Sequence, residues 1–211
     1  MTSLELQREF ERLLQARSEL FSNIIKPDTD TIFGFLTLAQ LRLLKQKYLP
    51  SANTKLNIQS IQDNSEDLKN LITYSTLAVL GSTYSNNTIS CSYPGTYLHY
   101  IRSDTDADID SVNSQLPNKL VSWSEMDKVI TNVYNIPIIR KPFLVLFEDY
   151  MLITTDSYTT PTAVRLTYLR KPLDISISQT SELAEYLHED IAQLAVSMFE
   201  QQLSNDTKGT T

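Results

Sequence analysis

The stretch from Ala163 to Leu203 constrains the fold most. AVRLTYLRKPLDIS reads as a strand that stops at Pro172, and SELAEYLHEDIAQLAVSMFEQQL then predicts one amphipathic helix from Ser181 to Leu203. Its apolar residues Leu183, Leu187, Ile191, Leu194, Ala195 and Met198 recur at three-and-four spacing. Glu182, Glu185, Glu189, Gln193, Ser197 and Glu200 occupy the other side, where His188 is also expected. Burying the apolar stripe contributes on the order of 10 kcal/mol gross, most of it offset by the entropy of ordering the helix. Such a helix needs a surface to pack on, and the rest of the chain must supply it.

The N-terminal region offers one. Thr2 with Glu5 forms a capping box, and Leu6, Phe10, Leu13, Leu14 and Phe21 follow on one face, predicting a first helix to about Phe21. After the Lys26–Asp30 turn, Thr31 to Tyr48 predicts a second helix that is apolar almost all round and is therefore expected in the middle of the core. Gly34 either weakens it locally or admits a second backbone, and Pro50 ends it. A short third helix, capped by Ser65, turns Leu68, Leu71 and Ile72 inward.

From Thr73 the pattern becomes strand-like: TYSTLAVL, NTISCSYP, GTYLHYIR, LVSW, FLVLF, YMLITT and AVRLTYL are rich in tyrosine, threonine and β-branched residues. Glu148-Asp149 predicts a tight hairpin turn, Pro161 a further turn, and Ser124 to Val133 a short helix before Pro137 and Pro142. Ser204 to Thr211 are small and polar and are expected to form a flexible tail. The fold class is α+β: a helical bundle of N-terminal helices and a C-terminal helix with a β-rich insertion. It is expected as a single domain of residues 1–211, with helices to residue 72, the β-rich part over 73–172 and the closing helix over 181–203.

Composition narrows the chemistry. With 41% hydrophobic and 20% charged residues, and no apolar run of about 18, the sequence describes a globular protein with no membrane partner. The opening MTSLELQREFERLL alternates charge and leucine, unlike a secretory signal, so a cytoplasmic site of synthesis and residence is expected. Cys91 is the only cysteine, which leaves no internal disulfide. The sequons at Asn86 and Asn205 are read as chance matches in a polar chain. A net charge of −7 argues against a broad grip on phosphate backbones. An acidic surface repels DNA, which matters where a protein lines a channel through which DNA slides and in most proteins simply reflects solubility.

Asp104, Asp106, Asp108 and Asp110 alternate as in the first half of a calcium loop. Ile109 stands where that loop needs glycine and Gln115 where it needs the closing glutamate, so a solvated acidic loop is expected instead. No catalytic, metal-binding or cofactor-binding residue is assigned, and no cofactor is expected. His99 and His188 are the only histidines, and phosphate-loop, nucleophile-elbow and zinc motifs are missing from the sequence. Arg140-Lys141 and Arg170-Lys171 are two basic pairs, each followed by proline, in an acidic chain. With Tyr168 they form the candidate interface toward an acidic partner surface, because a proline-stiffened segment loses less entropy on docking.

In order along the chain, SLELQREFERLL, FLTLAQLRLLKQKYLP, EDLKNLI, SYPGTYLHYIRS, IIRKPF, LTYLRKPLDIS and ELAEYLHEDIAQLAVSMF resemble virion proteins of tailed phages, especially the crAss-like phages of gut Bacteroidetes. YLRKP and LHEDIAQLAV are the most specific parts. The layout is similar to the head-to-tail adaptor, or tubular tail protein, of short-tailed phages. That resemblance implies a non-enzymatic homo-oligomeric ring, typically of twelve copies, in the neck or tail of the virion. The ring would contact the portal protein and other neck or tail ring proteins, surround the channel holding genomic DNA, and assemble in the bacterial host cytoplasm. The alternative is a non-virion phage protein that binds a host partner, with its acidic surface as the recognition feature.

Overall fold

A computed structural model describes residues 1–18, 27–48, 66–78, 80–84, 88–109, 112–125, 141–156 and 159–208. The protein is mixed α+β, and its chain divides into two compact units. Met1–Leu71 joins Pro172–Thr211 in one, and Ile72–Lys171 forms the other. No helix among the described residues is long and apolar enough to cross a membrane.

The first unit is helical. α1 (Ser3–Ser18) starts from the expected capping box: the Thr2 amide donates to Glu5 Oε2 at 2.8 Å and the Glu5 amide to Thr2 Oγ1 at 3.3 Å. Leu6, Phe10 and Leu14 are buried, while Phe21 lies outside the described residues. α2 (Thr29–Tyr48) begins where the Thr31 amide donates to Asp28 Oδ1, and hydrogen bonding from the Thr31 side chain, then from its amide, holds the Asp28 carboxyl below its usual range. The C-terminal helix α3 (His188–Lys208) follows a single 3₁₀ turn, Glu185–Leu187.

Three expectations change here. The central helix is α3 rather than α2, because α3 packs along both others and its Phe199 ring meets Phe10 at 6.1 Å and Phe35 at 5.3 Å edge-on. Its buried stripe is Ile191, Ala192, Ala195, Val196 and Phe199, with Leu194 and Met198 only half-buried. The small residues Ala192 and Ala195 let its backbone approach two neighbours, which one ridge of leucines would not permit. The expected flexible tail is helical as far as Lys208.

An irregular strap, Pro172 to Ala184, lies between the second unit's last strand and α3 in sequence, and α2 side chains hold its backbone. Gln40, fully buried, donates from Nε2 to the Leu173 carbonyl at 3.0 Å, and Thr37 Oγ1 accepts from the Ile175 amide at 3.0 Å. Ser176 and Gln179 bridge each other around a tight turn at Ile177-Ser178. Asp67, buried beside this unit's Leu68 and Leu71, receives Lys47 Nζ at 2.6 Å. Ser65 lies outside the described residues. Ile72, expected to close the third helix, instead opens the first strand and is partly exposed.

The second unit is a pair of β-sheets. The strands are β1 (Ile72–Ala78), β2 (Leu80–Tyr84), β3 (Thr88–Ser92), β4 (Tyr97–Ile109), β5 (Val112–Pro117), β6 (Lys119–Leu120), β7 (Phe143–Leu146), β8 (Tyr150–Thr154) and β9 (Thr159–Arg170). One sheet has the order β1-β9-β4-β5 and the other β2-β3-β8-β7-β6; β6 runs parallel to β7, and every other pairing is antiparallel. Ile89, Cys91, Leu144, Met151 and Ile153 of the second sheet share a core with Val164, Leu166 and Tyr168 of the first. At the β5–β6 corner, where the chain changes sheets, Asn118 donates to Ser103 Oγ at 2.8 Å and accepts from Thr105 Oγ1 at 2.7 Å. That bonding satisfies buried polar groups on β4.

The Glu148-Asp149 turn is present: the Phe147 amide donates to the Tyr150 carbonyl at 2.9 Å and β7 pairs with β8 on either side. Two other expectations are corrected. Asp104, Asp106 and Asp108 lie within β4, not on a solvated loop, and their spacing of two is strand alternation: the alternate residues Ser103, Thr105 and Ala107 are buried. Pro161 sits inside β9 opposite Ala107, at a register shift that absorbs its missing N–H. The helix expected over Ser124 to Val133 is described only to Glu125, where residues 123–125 make a helical turn.

Candidate interaction surfaces

The outer face of the four-stranded sheet follows from its register. Tyr74, Thr167 and Arg102 form one row, Thr76, Arg165 and Asp104 the next, and Ala78, Ala163, Asp106 and Gln115 a third. Opposite charges meet across it. Arg165 Nε donates to Asp106 Oδ2 at 2.8 Å, Arg102 Nη2 to Asp104 Oδ1 at 3.0 Å, and Gln115 Nε2 to the other Asp104 oxygen at 3.2 Å. Asp104 and Asp106, two of the carboxylates that resembled half a calcium loop, are thus paired with arginines on neighbouring positions. No group of three or more His, Cys, Asp or Glu suited to a metal occurs among the described residues. Asp110 lies outside them.

The basic pairs divide. Arg170, half-buried, ends β9, and the exposed Lys171 follows, with its amide donating to the Thr96 carbonyl at 2.8 Å. Lys141 is exposed just before β7, and Arg140 lies outside the described residues. Tyr168 is only 4% exposed. Its ring is part of the sheet core, near Tyr97 at 5.8 Å, and its hydroxyl meets Thr96 Oγ1 at 3.2 Å. Burial therefore removes Tyr168 from the candidate interface: β9 alternation that turns Val164 and Leu166 inward turns Tyr168 inward too. Tyr93 stacks on Tyr97 at 4.0 Å, and burial pushes both phenols above their usual range.

Sequence inspection passed over a second surface feature, the β6 edge of the five-stranded sheet. Leu120 is 51% exposed and Trp123 61%. Trp123 stands edge-on to Phe147 at 5.1 Å, and Phe147 stacks on Tyr150 at 4.8 Å, so an aromatic ladder fixes the exposed indole. Exposed Lys119 and Lys141 mark the other end of this edge, where the Lys119 amide donates to the Pro142 carbonyl at 2.8 Å. Only the apolar content of LVSW signalled this ridge in sequence.

On the helical unit, α2 and the strap leave an open groove of about 610 Å³. Phe33, Leu38, Ile175 and Ile177 give it apolar walls, with the carboxylates Asp30 and Asp174 beside them. Leu38 is 51% exposed and Ile177 64%.

Nucleophile and base candidates are apart by face. Cys91 is buried in the sheet core, whereas His99 is exposed on β4, where partial burial still lowers its pKa. His188, expected on the polar side of the last helix, is buried instead. Its Nε2 lies 3.2 Å from the Leu183 carbonyl, which makes Nε2 the donor, and Nδ1 has no hydrogen-bond partner among the described residues. Desolvation, then the nearby Met1 ammonium, which also binds Glu185 Oε1 at 2.8 Å, lower the His188 pKa.

A histidine with a depressed folded pKa stays neutral when folded, while the unfolded chain takes up a proton below about pH 6.5. Stability is therefore full above that pH and declines as pH falls through the folded pKa. Thermal melts between pH 7.5 and 5 are expected to show a smaller decline in His188→Gln than in the wild type. Parallel curves would remove His188 as the titrating group.

No protein-family model matches the chain, and comparison with curated proteins returns no match.

Proposed function

We propose that this chain is a structural virion protein that forms an oligomeric ring in the head-to-tail connector of a tailed phage, between portal and tail and around the DNA channel. One observation carries the proposal. The YLRKP strand and the LHEDIAQLAV helix, the parts most like phage ring proteins, are here the end of β9 and the start of α3, the helix on which the N-terminal helices pack. On this reading the helices from the two chain ends form a bundle and the β-rich part is an insertion that makes ring contacts. A ring protein needs no active site. Its charge of −7 keeps the unassembled subunit soluble and disfavours adhesion to DNA passing through the ring. Large apolar side chains left on both units suit surfaces that assembly covers.

The test is electron microscopy of the purified chain, alone and mixed with its portal and neighbouring tail proteins. Mass spectrometry of purified virions accompanies it. Rings, and stoichiometric copies in virions, are expected. Absence from virions favours the host-binding alternative, and failure to dock or form rings in any mixture overturns the proposal.

A further inference from the structure

The β6 edge of the five-stranded sheet carries opposite charges at its two ends. β6 and β7 run parallel, so Lys119 and Lys141 stand at their starts, while Glu125 follows β6 and Glu148-Asp149 turn the chain after β7; all five are exposed. None of them forms an ion pair among the described residues, although Lys119 Nζ lies over the Phe143 ring at 5.5 Å. In sequence, Arg140 carries the sign of Lys141, and Asp127-Lys128 cancel. Leu120, 51% exposed, lies between the ends, and Trp123, 61% exposed, belongs to the acidic one. We infer that this edge pairs with the same edge of a second copy, antiparallel about a two-fold axis, with Leu120 against Leu120. The pairing goes beyond the ring reading, because neighbours in a ring meet through unlike surfaces and here one surface meets itself.

Three observations choose a second copy as the occupant. The first is charge. A short edge strand with lysine beside it discourages indiscriminate pairing, but carboxylates at the far end make one arrangement attractive: antiparallel copies set each basic end against an acidic one, and parallel copies set like against like. The second is the backbone. The Lys119 and Val121 amides donate to the Pro142 and Leu144 carbonyls at 2.8 and 2.9 Å, so alternation turns the Leu120 N–H and C=O away from β7, where no strand among the described residues pairs with β6. A two-fold axis at Leu120 lets the two copies exchange those bonds. The third is the indole. Its ladder against Phe147 and Tyr150 holds Trp123 in place beside the carboxylates, which suits an incoming ammonium at little side-chain entropy cost. With Leu120 against Leu120, Lys119 of the second copy falls opposite Val121, two residues from Trp123, and supplies it.

The test uses the full chain by itself. Leu120→Cys is expected to give a disulfide-linked dimer under mild oxidation, because a hydrogen-bonded antiparallel pair sets its Cα atoms about 5.5 Å apart, within disulfide reach. Cys91 is buried and out of reach, and Asn113→Cys, at an exposed position on β5, is the control. Light scattering of the wild type is expected to show a dimer that dissociates on dilution and in high salt, with a red shift in the emission of Trp123, the only tryptophan of the chain. Lys119→Glu/Lys141→Glu and Glu148→Lys/Asp149→Lys are each expected to weaken dimerisation about tenfold or more. Their equimolar mixture is expected to restore it as a heterodimer, which misfolded variants could not do. A monomer at every concentration, a Leu120→Cys cross-link no stronger than the control, or a mixture that stays monomeric overturns the pairing. Each of these leaves the ring reading standing, which rests on rings formed with the portal and neighbouring tail proteins.

Discussion

Ile191→Asp is expected to abolish cooperative folding. Ile191 is fully buried on α3, the helix that packs along both α1 and α2. Losing its apolar burial removes about 2 kcal/mol. An uncompensated carboxylate there costs a further 3–5 kcal/mol or so, against a total of about 5–15 kcal/mol for a whole domain. Leu187→Asp is expected to behave in the same way, because Leu187 is also buried, at the 3₁₀ turn that starts α3. Leu194→Asp is the informative comparison. Leu194 has the same place in the apolar periodicity but is only half-buried, so the carboxylate can reach water and the cost should stay below about 1.5 kcal/mol. Circular-dichroism melts distinguish them: loss of the transition for Ile191→Asp beside a modest shift for Leu194→Asp. Equal shifts would mean that α3 does not centre the helical unit.

That comparison also shows what periodicity can and cannot convey. Three-and-four spacing revealed the existence of α3 and its need for partners, but a helix between two neighbours buries a wider arc than one stripe. Ala192, Val196 and Phe199 lie on that arc. The register of the start was hidden for a different reason. Ser181 to Leu187 has helical composition, yet the Ser181 hydroxyl accepts from the Leu183 amide, and the chain becomes α-helical only at His188.

Strand β4 was the hardest element to read. Its inward positions Ser103, Thr105 and Ala107 are small or polar, so the alternation carries no hydrophobic signal, and the visible period is the aspartates on the outer face. What makes the buried hydroxyls tolerable is Asn118, thirteen residues beyond Thr105. A window moved along the sequence cannot see that pairing. The candidate surfaces share this limit. Basic pairs are visible in sequence, but a groove made by α2 and a strap far away in the chain, or an indole propped by Phe147, exists only after folding.

Reversing the charges at the end of β9, Arg170→Glu with Lys171→Glu, is expected to leave the protein folded and to prevent ring formation. The fold should survive because the Lys171 amide secures the strand end to Thr96, and both side chains reach the surface at least in part. Substitutions of that kind cost about 1 kcal/mol or less. Assembly amplifies the change, since every copy carries it and each contact with an acidic neighbour turns from attraction into like-charge repulsion, worth several kcal/mol per contact. Tyr168→Phe separates packing from docking at this strand end. It removes the hydroxyl that meets Thr96 Oγ1, so a loss of about 1 kcal/mol in stability is expected. Its ring stays in the core, and rings should form as in the wild type. Negative-stain micrographs and melting curves of the three proteins decide the matter. If the double charge reversal forms rings at wild-type yield, β9 ends outside the subunit contact.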